Sequence, residues 1–231
     1  DRMYIGNSPS LGANGIAGIT IAFPIMIILM AMGVLFGIGG ATLFSIRLGQ
    51  KKEAEAVHVL ENAFLLLTGG GLVFMIIGQI FLKDILIAFG ASQEVLPFAT
   101  SYLRIILFGS MFGVTSMGLN HFIRADGNPK VAMLSMFVGA GTNIILDPIF
   151  IFVLDWGMEG AALATIISQS FSFIWVVSYF LGKRSRVKLN LKALKPEWTV
   201  IKLIVTLGIP PFTLQIASSL LNVILNKTLI A

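Results

Sequence analysis

The chain contains no cysteine, which removes both a disulfide framework and a thiolate metal site. Charge is also scarce. Asp, Glu, Lys and Arg together make up 12% of 231 residues, about half the share carried by an ordinary soluble domain. Period-two alternation is missing, which argues against a transmembrane barrel. No nucleophile-and-base arrangement, paired catalytic aspartate motif or H-E-x-x-H is present, so an intramembrane enzyme has no machinery to point to. No filter-like re-entrant segment suggests a channel. The two histidines, His58 and His121, stand far apart with no second ligand at metal spacing, and read as interfacial. There is no initiator methionine and no signal peptide, and the chain opens on Asp1 and closes on Ala231 in apolar sequence; this reads as an internal piece of a longer protein.

What is present is apolar. Hydrophobic residues reach 56% and mean hydropathy is +0.92. Met3–Ile46, Asn62–Leu82, Gly160–Gly182 and Leu203–Asn226 carry no Asp, Glu, Lys, Arg or His. Each is long enough to cross a hydrocarbon core, which takes roughly 20 helical residues. The fold class is therefore all-α, a polytopic helical membrane protein. Six crossings are expected near Ile16–Phe44, Val57–Leu82, Leu96–Ile123, Val131–Leu154, Gly160–Leu181 and Val200–Ala231, separated by connectors rich in turn residues.

Basic residues are unevenly shared among those connectors. Arg47, Lys51, Lys52, Arg124, Lys130 and the six cations from Lys183 to Lys195 fall on one side, against Arg2 and Lys83 on the other. The positive-inside rule makes the basic side cytoplasmic. This bias accounts for the net charge of +5 without nucleic acid, and lipid headgroups are the natural partners of Lys183–Lys195.

One segment carries chemistry. In Val131–Leu154 the only ionisable residue is Asp147, and Asn143 lies one helical turn before it on the same face. A carboxylate at membrane depth is costly and by default marks function. Pro148 lacks a backbone N–H, which deprives the Ile144 carbonyl of its helical partner nearby. Carboxylate, amide oxygen and carbonyl suit a small hard cation or a proton. The alternative, a purely structural interhelical hydrogen bond, gains about 0.6 kcal/mol in a measured membrane protein, little against desolvation of a carboxylate. Gly37-Ile38-Gly39-Gly40 superficially suggests a nucleotide fingerprint, but it lies within a span and is better explained by close helix packing. A short echo pairs Asp1–Gly6 with Asn226–Ala231, six crossings apart, as a parallel repeat requires.

Four features belong together: Asp1 in D-x-x-Y-I-G, the loop around Arg47-Leu48-Gly49, the turn Arg124-Ala125-Asp126-Gly127-Asn128-Pro129, and Asn143-Ile144-Ile145-Leu146-Asp147-Pro148. With them the sequence resembles the multidrug and toxic compound extrusion (MATE) family. The resemblance implies a six-helix transporter lobe, 1–182 (late helix 1 to helix 6), a basic cytoplasmic linker, 183–199, and the truncated first helix of a second lobe, 200–231. It implies an exporter of drug-like, cationic organic compounds working by antiport, with Na⁺ or H⁺ as coupling ion, no cofactor, and a multi-pass place in the plasma membrane. The family's ion site maps onto Asp1, Asn143, Asp147 and Thr165, which would be the ligands of Na⁺ if sodium is the coupling ion. Gln169, one turn beyond Thr165, and Met136, seven residues before Asn143, share those faces; both a substrate-binding role and plain packing remain open for them. A monomer is expected. The competing reading is a flippase for a lipid-linked oligosaccharide, which would need a larger, strongly basic cavity.

Overall fold

The computed structural model describes residues 2–7, 11–191 and 194–230, without the side chains of residues 2, 223 and 226–230. The repeat echo and Asp1 lie outside the described side chains. Nine α-helices and one π-helical segment make up the described secondary structure, with no strand among it. In chain order these are α1 (Arg2–Gly6), α2 (Gly12–Gly49), α3 (Glu53–Ile80), α4 (Leu82–Ala88), α5 (Leu96–Phe108), α6 (Ser110–Ala125), α7 (Pro129–Pro148), the π segment (Ile149–Val153), α8 (Gly157–Leu181) and α9 (Trp198–Ile230). Five are long and apolar enough to cross a membrane, six if α5 and α6 count as one bent span.

The expected spans are all helical, with two departures. Leu96–Ile123 is not one continuous helix: α5 and α6 meet at Gly109 with a 57° bend. There the chain tightens, with the Gly109 N–H reaching the Ile106 carbonyl at 3.0 Å. A Cβ at Gly109 would stand 2.6 Å from Ile166 of α8, so the kink presses bare backbone against a neighbour. The second departure is the expected connector after Lys83, which contains the short helix α4, anchored by buried Leu82 and Leu86. The broken pitch at Pro148 is where α7 widens into the π segment, closed by the Leu154 N–H to the Ile149 carbonyl at 2.9 Å.

Helix α2 is the axis of the molecule. Its 38 residues span about 57 Å at 1.5 Å each, and α3, α5, α6 and α9 all pack on it. Its glycines set the spacing. A Cβ on Gly37 would meet Gly118 of α6 at 2.6 Å, and one on Gly40 would meet the Phe122 ring at 2.5 Å. Gly39 on α2 and Gly208 on α9 touch the opposing backbones at Ile204 O and Leu35 O, leaving no room for any side chain. This is the close packing expected of the Gly37–Gly40 run. Around it lies the core, with Phe44 and Phe122 edge to face at 5.4 Å and Leu60, Leu67, Leu119, Ile123 and Phe180 fully buried.

Loops rich in cations share one end. The Asp126 carboxylate accepts from the Tyr179 hydroxyl (2.5 Å) and the Arg186 N–H (3.2 Å), with Ser185 Oγ at 3.1 Å. Asn128 donates to the same tyrosine at 2.6 Å. Further along, the Glu197 N–H reaches Asn62 Oδ1 at 2.7 Å. The segment between α8 and α9 is thereby fixed to α3 and to the α6–α7 turn.

Candidate functional site

Three helices, α6, α7 and α8, surround a cavity of about 610 Å³ with α2 as its fourth wall. Its lining follows helical spacing on each: Gly113, Met117, Asn120 and Arg124 on α6; Met136, Ala140 and Asn143 on α7; Thr165, Ser168, Gln169 and Ser172 on α8; Met26 and Met30 on α2. Small and hydroxyl residues at these positions let the helices approach and stitch them together. Asn120 Nδ2 donates to the Ala132 carbonyl at 2.7 Å and to Ser135 Oγ at 2.6 Å, while Ser172 Oγ donates to the Ser135 carbonyl at 3.2 Å. Gly113 is bare where Gln169 crosses it; a Cβ there would be 2.7 Å from the Gln169 amide oxygen.

The two ends of the cavity differ. At the end nearest the basic loops, Arg124 and His121 face inward, Arg124 lying 3.4 Å from the Met136 sulfur. At the other end is the polar cluster. Asn143 Nδ2 donates to Asp147 Oδ1 at 3.2 Å and to Thr165 Oγ1 at 3.4 Å, and Thr165 Oγ1 donates to the Ala161 carbonyl at 3.1 Å. Asp147 is fully buried, while Asn143 and Thr165 are part-buried and open onto the cavity. The carboxylate thus sits just behind the wall, joined to it by an amide and a hydroxyl from two helices. The Asn143 amide nitrogen occupies the space between two oxygens. Turned over, the same amide offers Oδ1 there instead, so one side chain can complete either a proton-holding or a cation-holding set.

Of the residues singled out by sequence, Asn143, Asp147 and Thr165 come together, and Gln169 and Met136 both line the cavity. Asp1 lies outside the described residues. One reading needs an addition: His121 lines the cavity, with Gly37 of α2 packed beside it. Asn120, Arg124, Ser168 and Ser172 were also missed. The signal that would have found them is the run of small and polar residues every three to four positions along α6 and α8. No acid lines the cavity among the described residues, and no cluster of three His, Cys, Asp or Glu occurs among them.

Comparison with known proteins agrees with this architecture. The MatE family model matches residues 5–149. The multidrug export protein MepA of Staphylococcus aureus (strain MRSA252) is 33% identical over 214 residues, covering 91% of this chain and 47% of MepA. The chain therefore spans about half the length of the curated relatives it matches. Among solved structures, the MATE multidrug transporter DinF-BH in complex with R6G superposes with a TM-score of 0.93 at 38% identity, covering all of this chain and 51% of that one. An inward-facing multidrug resistance MATE family transporter gives 0.88 at 26% identity, covering 96% and 50%. With more than half of the chain, including the cavity helices α6 and α7, inside the matched family region, the chain belongs to the MATE family.

Proposed function

We propose that residues 1–182 form the amino-terminal lobe of a secondary transporter, that 183–199 is its basic cytoplasmic linker, and that 200–231 is the first helix of a second lobe. The whole protein exports drug-like, cationic organic compounds across the plasma membrane by antiport against Na⁺ or H⁺, as a monomer. The observation that carries this reading is the cluster of Asp147, Asn143 and Thr165 from α7 and α8, set immediately behind the cavity wall.

Coupling requires that the ion stabilise one cavity conformation more than the other. The cluster supports such a difference because its members come from separate helices and can converge on a charge only when α7 and α8 hold this separation. A bound cation offsets the cost of keeping Asp147 ionised away from water, and a bound proton removes the charge altogether. Asn143 then turns its amide oxygen inward, and Thr165 follows through its hydroxyl. Asp1 would add a second carboxylate to the set. No acid lines the described cavity and Asp147 stands behind its wall, so ion and substrate would compete for the negative field of that carboxylate. Four methionines on the lining, Met26, Met30, Met117 and Met136, supply soft, adaptable contacts that fit varied substrates.

A flippase for a lipid-linked oligosaccharide is less well supported, since one arginine and one histidine at a single end give little to hold a pyrophosphate. The deciding experiment is drug efflux from vesicles containing the whole protein, under separately imposed Na⁺ and pH gradients. Asp147→Asn is expected to reach the membrane and to reduce gradient-driven efflux to the level of protein-free vesicles. Efflux retained in that variant removes the coupling role.

A further inference from the structure

The coupling scheme above uses one end of the drug-sized cavity and leaves the other idle. At that idle end Arg124 and His121, one turn apart on α6, both belong to the lining. Among the described residues, Arg124 is the one formally charged side chain on the wall. It makes no ion pair among them, and its hydrogen-bond partner is the Met136 sulfur at 3.4 Å, a weak acceptor. An arginine serving only the membrane surface extends outward to the headgroups. This one lies across to the lining face of α7, and it is exposed, so a ligand in the cavity can reach it.

Most other polar groups on the wall are spent on the protein. Asn120 Nδ2 and Ser172 Oγ hold α7, Ser168 Oγ donates to the Ala164 carbonyl at 2.7 Å, and Ser110 Oγ donates to the Gly71 carbonyl at 3.0 Å. The groups left open among the described residues are Arg124, His121 and Ser116 on α6 and the Gln169 amide on α8. The cavity therefore has two poles. Asp147 gives its field at one, behind Asn143 and Thr165, and Arg124 stands unneutralised at the other. Arg124 touches Met136, and the seven residues from Met136 to Asn143 span about 10 Å of α7 at 1.5 Å each. Between the poles the wall is apolar, with Leu29, Val114 and Met117.

A simple cation is drawn to the first pole and repelled by the second. A compound that also carries a carboxylate meets a guanidinium whose planar fork matches it in two parallel hydrogen bonds. We propose that Arg124, with His121 beside it, is a carboxylate-recognising subsite. Through it the cavity selects zwitterionic organic compounds, with amine and acid about 10 Å apart along an apolar body, over simple cations. This rests on the reading of the cavity as the drug site.

The test measures binding to the whole protein in detergent by equilibrium dialysis, with two probes of one skeleton. The first is a rigid biphenyl carrying an aminomethyl group at one para end and a carboxylate at the other; the second is its methyl ester, a plain cation. Wild type is expected to bind the acid about tenfold more tightly than the ester, the scale of one charge-assisted contact. Arg124→Gln should erase that preference. Arg124→Lys keeps the charge but loses the fork, and should retain a preference of about threefold. Equal or weaker binding of the acid by wild type, with the ester still bound, overturns the proposal and leaves the cavity as a site for cations. Failure of both probes to bind removes the drug-site reading and the proposal with it. An undiminished preference in folded Arg124→Gln also overturns it, as does equal loss of both probes, which would give the arginine a structural role.

Discussion

At the scale of single residues, the chemistry concentrates on one carboxylate and the two groups that join it to the cavity. If Asn143 and Thr165 present Asp147 to an ion, each contributes oxygen to that ion rather than to the fold alone. Thr165→Val keeps shape and removes one oxygen; the ion concentration giving half-maximal efflux should rise about tenfold, while the amount of protein in the membrane stays level. Asn143→Leu removes both the donor and the amide oxygen and is expected to shift it further. Unchanged ion dependence in both variants would assign the cluster a packing role. Asn143 and Asp147 were legible in the sequence because polar groups one turn apart stand out in an apolar run. Thr165 was not legible by pattern, since a threonine in a membrane helix ordinarily satisfies itself on the preceding turn, as this one does with Ala161. Only its place in a family motif marked it. His121 escaped notice as a lining residue for a related reason: being near the end of a span says nothing about which way a side chain turns.

At the scale of elements, helices and their number follow from hydropathy, but breaks within them do not. The run from Leu96 to Ile123 has nothing to forbid a straight helix, because isolated glycines such as Gly109, Gly113 and Gly118 are tolerated in a span. The bend at Gly109 sets its bare backbone against Ile166, a residue distant in sequence. Helix contacts were legible only as a glycine-rich run on α2, without its partners. These partners now give a sharp prediction. Gly208→Val forces a branched side chain against the Leu35 carbonyl of α2, which cannot move without shifting the helix. A destabilisation of about 1–3 kcal/mol or more is expected, read as a lower thermal midpoint in detergent. Leu214→Ala, at an exposed site on the same helix, should leave the midpoint nearly unchanged.

At the scale of the whole molecule, the chain between α8 and α9 reads in the sequence as a basic linker facing lipid headgroups. It is held at both ends, through Asp126 with Tyr179, Ser185 and Arg186, and through Asn62 with the Glu197 backbone. Buried hydrogen bonds of this kind do not show in composition, because each partner is an ordinary polar residue until a fold brings them together. Asp126→Ala should release the first anchor and leave the cavity intact. Trypsin cleavage between Lys183 and Lys195 is then expected to quicken markedly, with little change in the accessibility of Lys83. Equal cleavage rates in wild type and variant would show that the anchor does not restrain the segment.

The crossing of α2 and α9 has one more consequence. Where Gly39 and Gly208 meet, main chain rests on main chain, with side chains displaced to either flank. Interlocked knobs would have to be dislodged before the two rods could change their angle; a bare point of touch lets them roll while staying together. Some turns away, the Ser219 hydroxyl holds the Pro24 carbonyl at 3.0 Å and limits how far that roll can go. The pair is built like a bearing with a stop.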